Sequence, residues 1–341
     1  MPVFLGSIQR RVNTEVLQFA YNRQWARAVG KPVVYQIELT NHCPMTCQMC
    51  PRTHAMERPL GHMALELFQR IVDQASSSTR AVFLHHFGDS LLHPQLGDFI
   101  GYAAAKGIRT HLSANPALLT KRRIQAIVDG GLNELVLSLD GVTPETSEAV
   151  RGRAARNVDL AERRIGELID YRLRTGSSKP FIILQIVRQR QNEHEVEAWL
   201  SKWRGYHGVD RLKVKSYVSW DGREEKINNL RIEPKTADPS LVCDKPWTSV
   251  AILWDGRVVP CCFDYDGIMT LGSLADQSLE EIWQGETLAA LRQAHRTRDL
   301  SGVALCAKCN DKDGYPVRKL YYPLNRLLQP QSAIGAEWDR D

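Results

Sequence analysis

Residues 33–51 read VVYQIELTNHCPMTCQMCP, an apolar, β-branched run from Val33 to Thr40 that stops at Asn41 and is followed at once by three cysteines. Such a run is a strand signal, and the polar Asn41 ends it. Cys43, Cys47 and Cys50 therefore share one loop at the carboxyl end of a strand. The pattern extends outward. Leu65, Phe68, Val72 and Ala75 recur at helical spacing. Ala81 to Phe87 gives a second strand, Phe99 to Lys106 a helix closed by Gly107, and Ile108 to Leu112 a third strand. A helix at Lys121 to Val128, a strand at Glu134 to Asp140 and a helix that Thr143 caps, with Pro144 in its first position, continue the alternation. Pro180 to Arg188 and Arg211 to Ser219 add two strands around a helix at Glu195 to Trp203. Six strands alternating with helices imply an α/β fold whose parallel sheet is covered on both faces. Spacing leaves open whether that sheet is doubly wound or curled into a partial barrel.

Beyond the sixth strand the pattern changes. Residues 221–242, DGREEKINNLRIEPKTADPSLV, are polar and read as a linker or a long crossing segment. Ser249 to Trp254 and Arg257 to Cys261 flank Asp255-Gly256, a hairpin signal, and Ser278 with Glu281 forms a capping box for a helix to about His295. A small hairpin-plus-helix unit ending at Cys306-Ala-Lys-Cys309 follows. The expected domains are a helical extension over 1–32, an α/β core over 33–220, a linker over 221–242, a cysteine-bearing unit over 243–315, and a terminal segment and tail over 316–341.

The 341 residues suit a large catalytic core with a smaller appendage, and 43% hydrophobic with 24% charged residues is ordinary globular composition. Lys and Arg number 44 against 39 Asp and Glu, a net charge of +5 that makes no case for nucleic acid. No apolar run approaches the ~18 residues of a membrane span, and Arg10, Arg11, Arg23 and Arg27 interrupt the N-terminal apolar residues, so a leaderless, cytoplasmic chain is expected. The basic amphipathic stretches Leu5 to Arg27 and Val317 to Leu328 suit either a lipid surface or packing against the core; the second reading is preferred and no membrane contact is expected. Neither G-x-G-x-x-G after a strand nor G-x4-G-K-[ST] occurs, which gives no support to nicotinamide or nucleotide-triphosphate chemistry. Ala198 stands where a zinc-protease motif beginning at His194-Glu195 needs its second histidine.

All eight cysteines fall in two regions, at 43, 47, 50 and at 243, 261, 262, 306, 309. A secreted disulfide scaffold is short and spreads its cysteines; this pattern points to metal or cluster ligation. Three thiolates from one loop leave one iron of a four-iron cube open to another ligand. Zinc wants four ligands, and His42, next to Cys43, is too constrained to complete the set. Cys243, Cys261, Cys306 and Cys309 make a full four-thiolate set, which closes either a structural zinc site or a fully ligated iron–sulfur cluster. Cys262 is left over, because adjacent residues at the end of a strand point to opposite faces. Its plain role is a small buried hydrophobe.

The Cys43-x3-Cys47-x2-Cys50 loop resembles that of the radical S-adenosylmethionine (radical SAM) enzymes, over roughly Val33 to Trp220. The resemblance implies a partial (β/α)6, TIM-like barrel. It also implies a 4Fe-4S cluster whose open iron chelates S-adenosylmethionine, which is then cleaved reductively to methionine and a 5'-deoxyadenosyl radical. Phe87-Gly88-Asp89-Ser90 stands where the family usually has Gly-Gly-Glu-Pro, so Gly88 and Asp89 are expected at the methionine amino group. Ser113 and Asn115 are similar to the ribose-contacting pair, Ser138 and Asp140 match the fourth-strand signature, and Arg151 suits a carboxylate contact. Met49 replaces the usual aromatic against the adenine, and its thioether packs well on a ring. Each of Ser113, Asn115 and Ser138 alone is explained by strand-end turn chemistry; together, at successive strand ends, they favour a cofactor site. Cys243-Asp-Lys-Pro-Trp247, the segment to Cys261-Cys262, and Cys306-x2-Cys309 look like the short SPASM/twitch appendage, which implies one auxiliary 4Fe-4S cluster.

These resemblances imply a dehydrogenase acting on a small, sugar- or cyclitol-like substrate, with the auxiliary cluster taking the second electron and a flavodoxin- or ferredoxin-type protein as donor. The alternatives are a peptide-modifying maturase, an epimerase using Cys262, and a zinc-binding module without catalysis. About 32 residues precede the first strand, too few for the leader-binding domain of many maturases, which favours the small substrate. His85, His86, Gln185, Arg188, Lys215 and Tyr217 are polar candidates for substrate contact on the strands.

Overall fold

The computed structural model describes residues 2–27, 29–233 and 242–309; Val317 to Leu328, the terminal tail and residues 234–241 of the expected linker lie outside the described residues. Strands β1 (Val34–Ile37), β2 (Ala81–Phe83), β3 (Arg109–Ala114), β4 (Glu134–Ser138), β5 (Phe181–Val187) and β6 (Arg211–Lys215) form an all-parallel sheet in sequence order. Helices Leu65–Ala75, Leu96–Ala105, Lys121–Asp129, Val158–Arg174 and Val196–Trp203 make the crossovers that parallel pairing requires. The sequence reading omitted the fourth of these. Its signal was present: Asn157 caps it through Leu160 N at 2.8 Å, and Ala161, Ile165, Leu168 and Ile169 form its buried stripe.

Alternation along the strands sorts the two faces. Tyr35, Ile37, Val82, Leu84, Leu112, Leu135, Leu137, Ile182, Leu184 and Ile186 join the helices in one core, each of the aliphatic ones worth about 1.5–3 kcal/mol when fully buried. The residues between them are Gln36 and Glu38, Phe83 and His85, His111 and Ser113, Ser138 and Gln185. They fall on the opposite face, and the polar ones there need partners or a ligand.

The cysteine-bearing unit is continuous with this sheet. Strand β7 (Ser249–Ile252) pairs in parallel with β1 along its whole length, Val34 to Ser249 through Ile37 to Ile252. Strands β8 (Arg257–Val259) and β9 (Gly272–Ser273) follow antiparallel, giving one open nine-stranded sheet with β6 and β9 at its edges. The first strand thus becomes an interior strand, and both cysteine regions are placed by β1 and its neighbours. The capping box is present at Ser278 and Glu281, but the helix it starts ends at Gln284, and Gly285 opens a second one, Glu286–Thr297.

Helix Pro2–Asn22 packs onto this body. Leu17, Ala20 and Tyr21 are buried, and the Tyr21 hydroxyl donates to Val242 O at 2.7 Å beside Trp247. Among the described residues no helix is long and apolar enough to cross a membrane. After β6, the polar segment lies against the first cysteine loop: Asp221 and Ile227 are buried, and the Tyr217 hydroxyl donates to Ile227 O.

Candidate cofactor and cluster sites

The loop carrying Cys43, Cys47 and Cys50 is gripped from two sides. On one, Thr46 N donates to Arg151 O at 3.1 Å and Gln48 N to Val150 O at 2.9 Å, tying the loop to the end of helix Pro144–Arg151. Gly152 follows with φ +82°, and a Cβ there would stand 1.8 Å from Thr46 Oγ1. On the other side, Asp89 N donates to His42 O at 2.9 Å, while a Cβ on Gly88, at φ +102°, would lie 2.4 Å from Thr40 O. Both glycines are therefore set by close approach as well as by dihedral.

Two buried acids reach this loop. Asp89 accepts from Leu91 N at 3.0 Å and from Asn115 N at 2.9 Å, which joins the ends of β2 and β3. Burial pushes its carboxyl up to about 6 against those two hydrogen bonds. Asp140 accepts from Val187 N at 2.7 Å and from Arg151 Nε at 2.6 Å, and Arg151 Nη1 lies 3.8 Å from Cys47 Sγ. Burial works against the Arg151 charge, but Asp140 and the neighbouring thiols more than offset it and hold the guanidinium charged. Ser138 accepts from Gln185 Nε2 at 3.4 Å, and the Ser113 amide donates to His85 Nδ1 at 3.2 Å. Asn115 also caps the turn that follows it, accepting from Ala117 N. Met49 is buried with Cys47 and Val150, and its carbonyl accepts from Trp220 Nε1 at 2.7 Å.

Burial pushes the Cys43 thiol up to about 11 and Cys50 to about 12, and raises Cys47 as well. A bound metal cation favours the thiolate form of such buried groups. The second region repeats this. Cys243, Cys261, Cys306 and Cys309 line one cavity with Lys245, Phe263 and His295, and burial raises the Cys243 thiol. Cys306 Sγ lies 3.7 Å from His295 Nε2, and Cys309 Sγ lies 3.7 Å from Trp220 O. Donor number and type thus fit a three-thiolate cluster with an open iron at the first loop and a four-thiolate cluster at the second.

Cys262 does not line that cavity, but not for the reason expected from alternation. Strand β8 ends at Val259, so Cys261 and Cys262 lie in the turn beyond it. The adjacent Cys261, with Lys245, His86 and Lys215 nearby, lowers the Cys262 thiol while burial opposes. The Cys262 carbonyl accepts from His86 Nε2 at 3.0 Å.

Of the six polar candidates only Gln185 and Lys215 lie within strands, the others just beyond strand ends, and they divide. Tyr217 is bonded to Ile227 O, Arg188 to Glu193, and Gln185 to Ser138. His85 Nδ1 is an acceptor, and burial pushes that ring down to about 3, so it is neutral. Lys215, at the end of β6, contributes to that shift. Sequence reasoning missed Glu38, fully buried and held by a bidentate Arg58. Trp254 N donates to it at 3.2 Å, and His86 Nδ1 stands 3.5 Å away. A charged residue at an inward position of an apolar strand was the available signal, since a buried carboxylate demands a partner. Trp220 was missed too, and no local pattern marks it.

A parallel α/β sheet with three thiols at the carboxyl end of its first strand, joined to a four-thiol hairpin unit, defines an iron–sulfur enzyme of the radical type. Residues 37–195 match the radical SAM superfamily and residues 243–310 an iron-sulfur cluster-binding domain, SPASM. The chain is a radical SAM enzyme with a SPASM domain, using S-adenosylmethionine and 4Fe-4S clusters that include an auxiliary one. It is similar to a tungsten-containing aldehyde ferredoxin oxidoreductase cofactor-modifying protein of Pyrococcus furiosus, 25% identical over 289 residues, 73% of this chain and 80% of that one. An S-adenosyl-L-methionine-dependent 2-deoxy-scyllo-inosamine dehydrogenase of Niallia circulans is 20% identical over 284 residues, 81% of this chain and 92% of that one. PqqA peptide cyclases are among further relatives. The crystal structure of BtrN with AdoMet and 2-DOIA shares the fold, with a TM-score of 0.55 at 18% identity, covering 83% of this chain and 97% of that one.

Proposed function

We propose that this enzyme dehydrogenates an alcohol carbon of a small sugar- or cyclitol-like substrate. The observation that carries the reading is the nearness of the two cysteine sets: Trp220 touches Met49 in the first loop and Cys309 in the second set. When bound, the cofactors supply hydrogen-atom abstraction at the first loop and a one-electron acceptor at the second. A carbinol substrate loses its C–H hydrogen atom, its O–H proton and one further electron, two electrons in all, and leaves as a carbonyl. A one-electron acceptor beside the abstraction site suits that balance. The alignment with a dehydrogenase over 81% of this chain also supports it.

In this reading Cys43, Cys47 and Cys50 hold the first cluster and Cys243, Cys261, Cys306 and Cys309 the auxiliary one. The α/β core spans 33–220 and the SPASM unit 243–315. Asp89 and the Asp140–Arg151 pair meet the opposite charges of an amino acid, ammonium on carboxylate and carboxylate on guanidinium. Gly88 keeps Asp89 beside the loop, Ser113, Asn115 and Ser138 offer hydroxyl and amide groups to a ribose, and Met49 packs on the adenine. A flavodoxin- or ferredoxin-type donor supplies the first electron. Cys262, which does not line the cavity, is not needed.

The test is an anaerobic assay in deuterated water with candidate polyols, on wild type and Cys262→Ala. Dehydrogenation predicts a carbonyl product, turnover retained in the variant and no solvent deuterium on carbon. An inverted, deuterium-labelled alcohol together with an inactive variant establishes an epimerase instead.

A further inference from the structure

Trp220 stands between the two cysteine sets and contacts both. Its indole Nε1 donates to the Met49 carbonyl at 2.7 Å, in the loop between Cys47 and Cys50. Its own carbonyl oxygen accepts from the Cys309 thiol, whose sulfur lies 3.7 Å away. Its ring meets Phe87, which precedes Gly88, with centroids 5.1 Å apart, and Phe263, which lines the second cavity, at 5.9 Å. The backbone of Trp220 is left-handed, φ +59°. A bulky residue seldom adopts that conformation, and it persists only where the surroundings over-determine it.

We propose that Trp220 is a positioning residue that couples cofactor binding at the first loop to electron uptake at the auxiliary cluster. The argument is geometric. Any shift of the Met49 carbonyl turns the indole bonded to it, and the constrained backbone of the same residue then moves a carbonyl dipole relative to Cys309. When Cys309 gives up that proton to ligate iron, the carbonyl oxygen stands beside a thiolate and disfavours added negative charge, so its position affects how readily the cluster is reduced. By reciprocity, reduction of the auxiliary cluster alters the affinity of the first loop for S-adenosylmethionine by the same factor. The proposal rests on Cys309 being an auxiliary-cluster ligand and on the first loop binding the cofactor.

The experiment uses the anaerobically reconstituted holoenzyme. The midpoint potential of the auxiliary cluster is followed by electron paramagnetic resonance with and without S-adenosylmethionine, in wild type, Trp220→Phe and Trp220→His. Phe keeps a ring between Phe87 and Phe263 but has no N–H donor; His keeps a donor. Wild type is expected to show a shift on cofactor addition, Trp220→Phe to lose it, and Trp220→His to recover part of it, each protein holding about eight irons. No shift in wild type, or the same shift in Trp220→Phe, overturns the coupling. Wild type lacking a separate auxiliary signal overturns the cysteine assignment beneath it, which distinguishes the two failures.

Discussion

Replacing Gly152 by Ala perturbs the first cysteine loop without touching a cysteine. Gly152 has φ +82° and ψ +172°, a region that is essentially glycine-only, and holding Ala there costs about 1–3 kcal/mol. The added methyl also meets Thr46 Oγ1 at 1.8 Å, Thr46 Cβ at 3.1 Å and Thr46 N at 3.2 Å. Rotating the threonine hydroxyl relieves the first contact. The other two involve atoms fixed to the loop backbone, and overpacking of this kind costs about 1–3 kcal/mol. Gly152→Ala should therefore destabilise the protein by roughly 2–6 kcal/mol. The loss should be concentrated where Thr46 N and Gln48 N bond to Arg151 O and Val150 O. Anaerobic guanidinium unfolding reads the stability, and iron analysis after reconstitution reads the loop. The variant should fall towards about four irons, those of the auxiliary set. Adding Thr46→Ala removes only the hydroxyl clash, so it should recover less than half of the stability loss. A Gly152→Ala protein with full iron content and stability within about 0.5 kcal/mol of wild type would refute the reasoning.

Glu38→Gln strands Arg58 as an unpaired buried charge and should cost about 3–5 kcal/mol, whereas the apolar double substitution Glu38→Leu with Arg58→Met should cost markedly less; equal losses in urea unfolding would contradict this. Asp89 gives a pH signature. Burial raises its carboxyl from 3.8 to about 6, so the folded state binds the proton more tightly than the unfolded chain. Its stabilising contribution is full below about pH 4 and is lost as pH rises to about 6, and Asp89→Asn should remove that part of the profile. A stability difference between wild type and Asp89→Asn that is flat from pH 4 to 6 would count against it. Asp140→Ala leaves buried Arg151 without its carboxylate and Val187 N without an acceptor, and should weaken S-adenosylmethionine binding at least tenfold in equilibrium dialysis; unchanged affinity removes the pair from the cofactor site.

What the sequence made legible was local. The run Val33 to Thr40, the βα alternation and the Thr143 and Ser278 caps depend on neighbouring residues, and each appears in the structure, though the strands are shorter than read: Val34–Ile37, Ala81–Phe83 in place of Ala81 to Phe87, and Arg211–Lys215 in place of Arg211 to Ser219. The pairing of β7 with β1 joins residues more than two hundred positions apart and leaves no periodic trace. The same holds for Trp220 against Met49 and for Arg58 around Glu38. Other departures were readable in principle. Helix Val158–Arg174 carries both a cap and an apolar stripe, and Gly285 marks a break in the helix expected from Ser278 to about His295. The ground for setting Cys262 apart does not hold, because alternation does not extend to residues two and three positions past the end of a three-residue strand.

The count and type of iron–sulfur clusters test the two-site account most directly. Mössbauer spectroscopy and iron analysis of the anaerobically reconstituted protein should give about eight irons per chain in two 4Fe-4S clusters. Replacing Cys43, Cys47 and Cys50 together by Ala should leave about four, in one cluster with complete thiolate ligation. Stoichiometric zinc in that variant, or a wild type with only about four irons, would contradict the assignment of Cys243, Cys261, Cys306 and Cys309 to an auxiliary cluster.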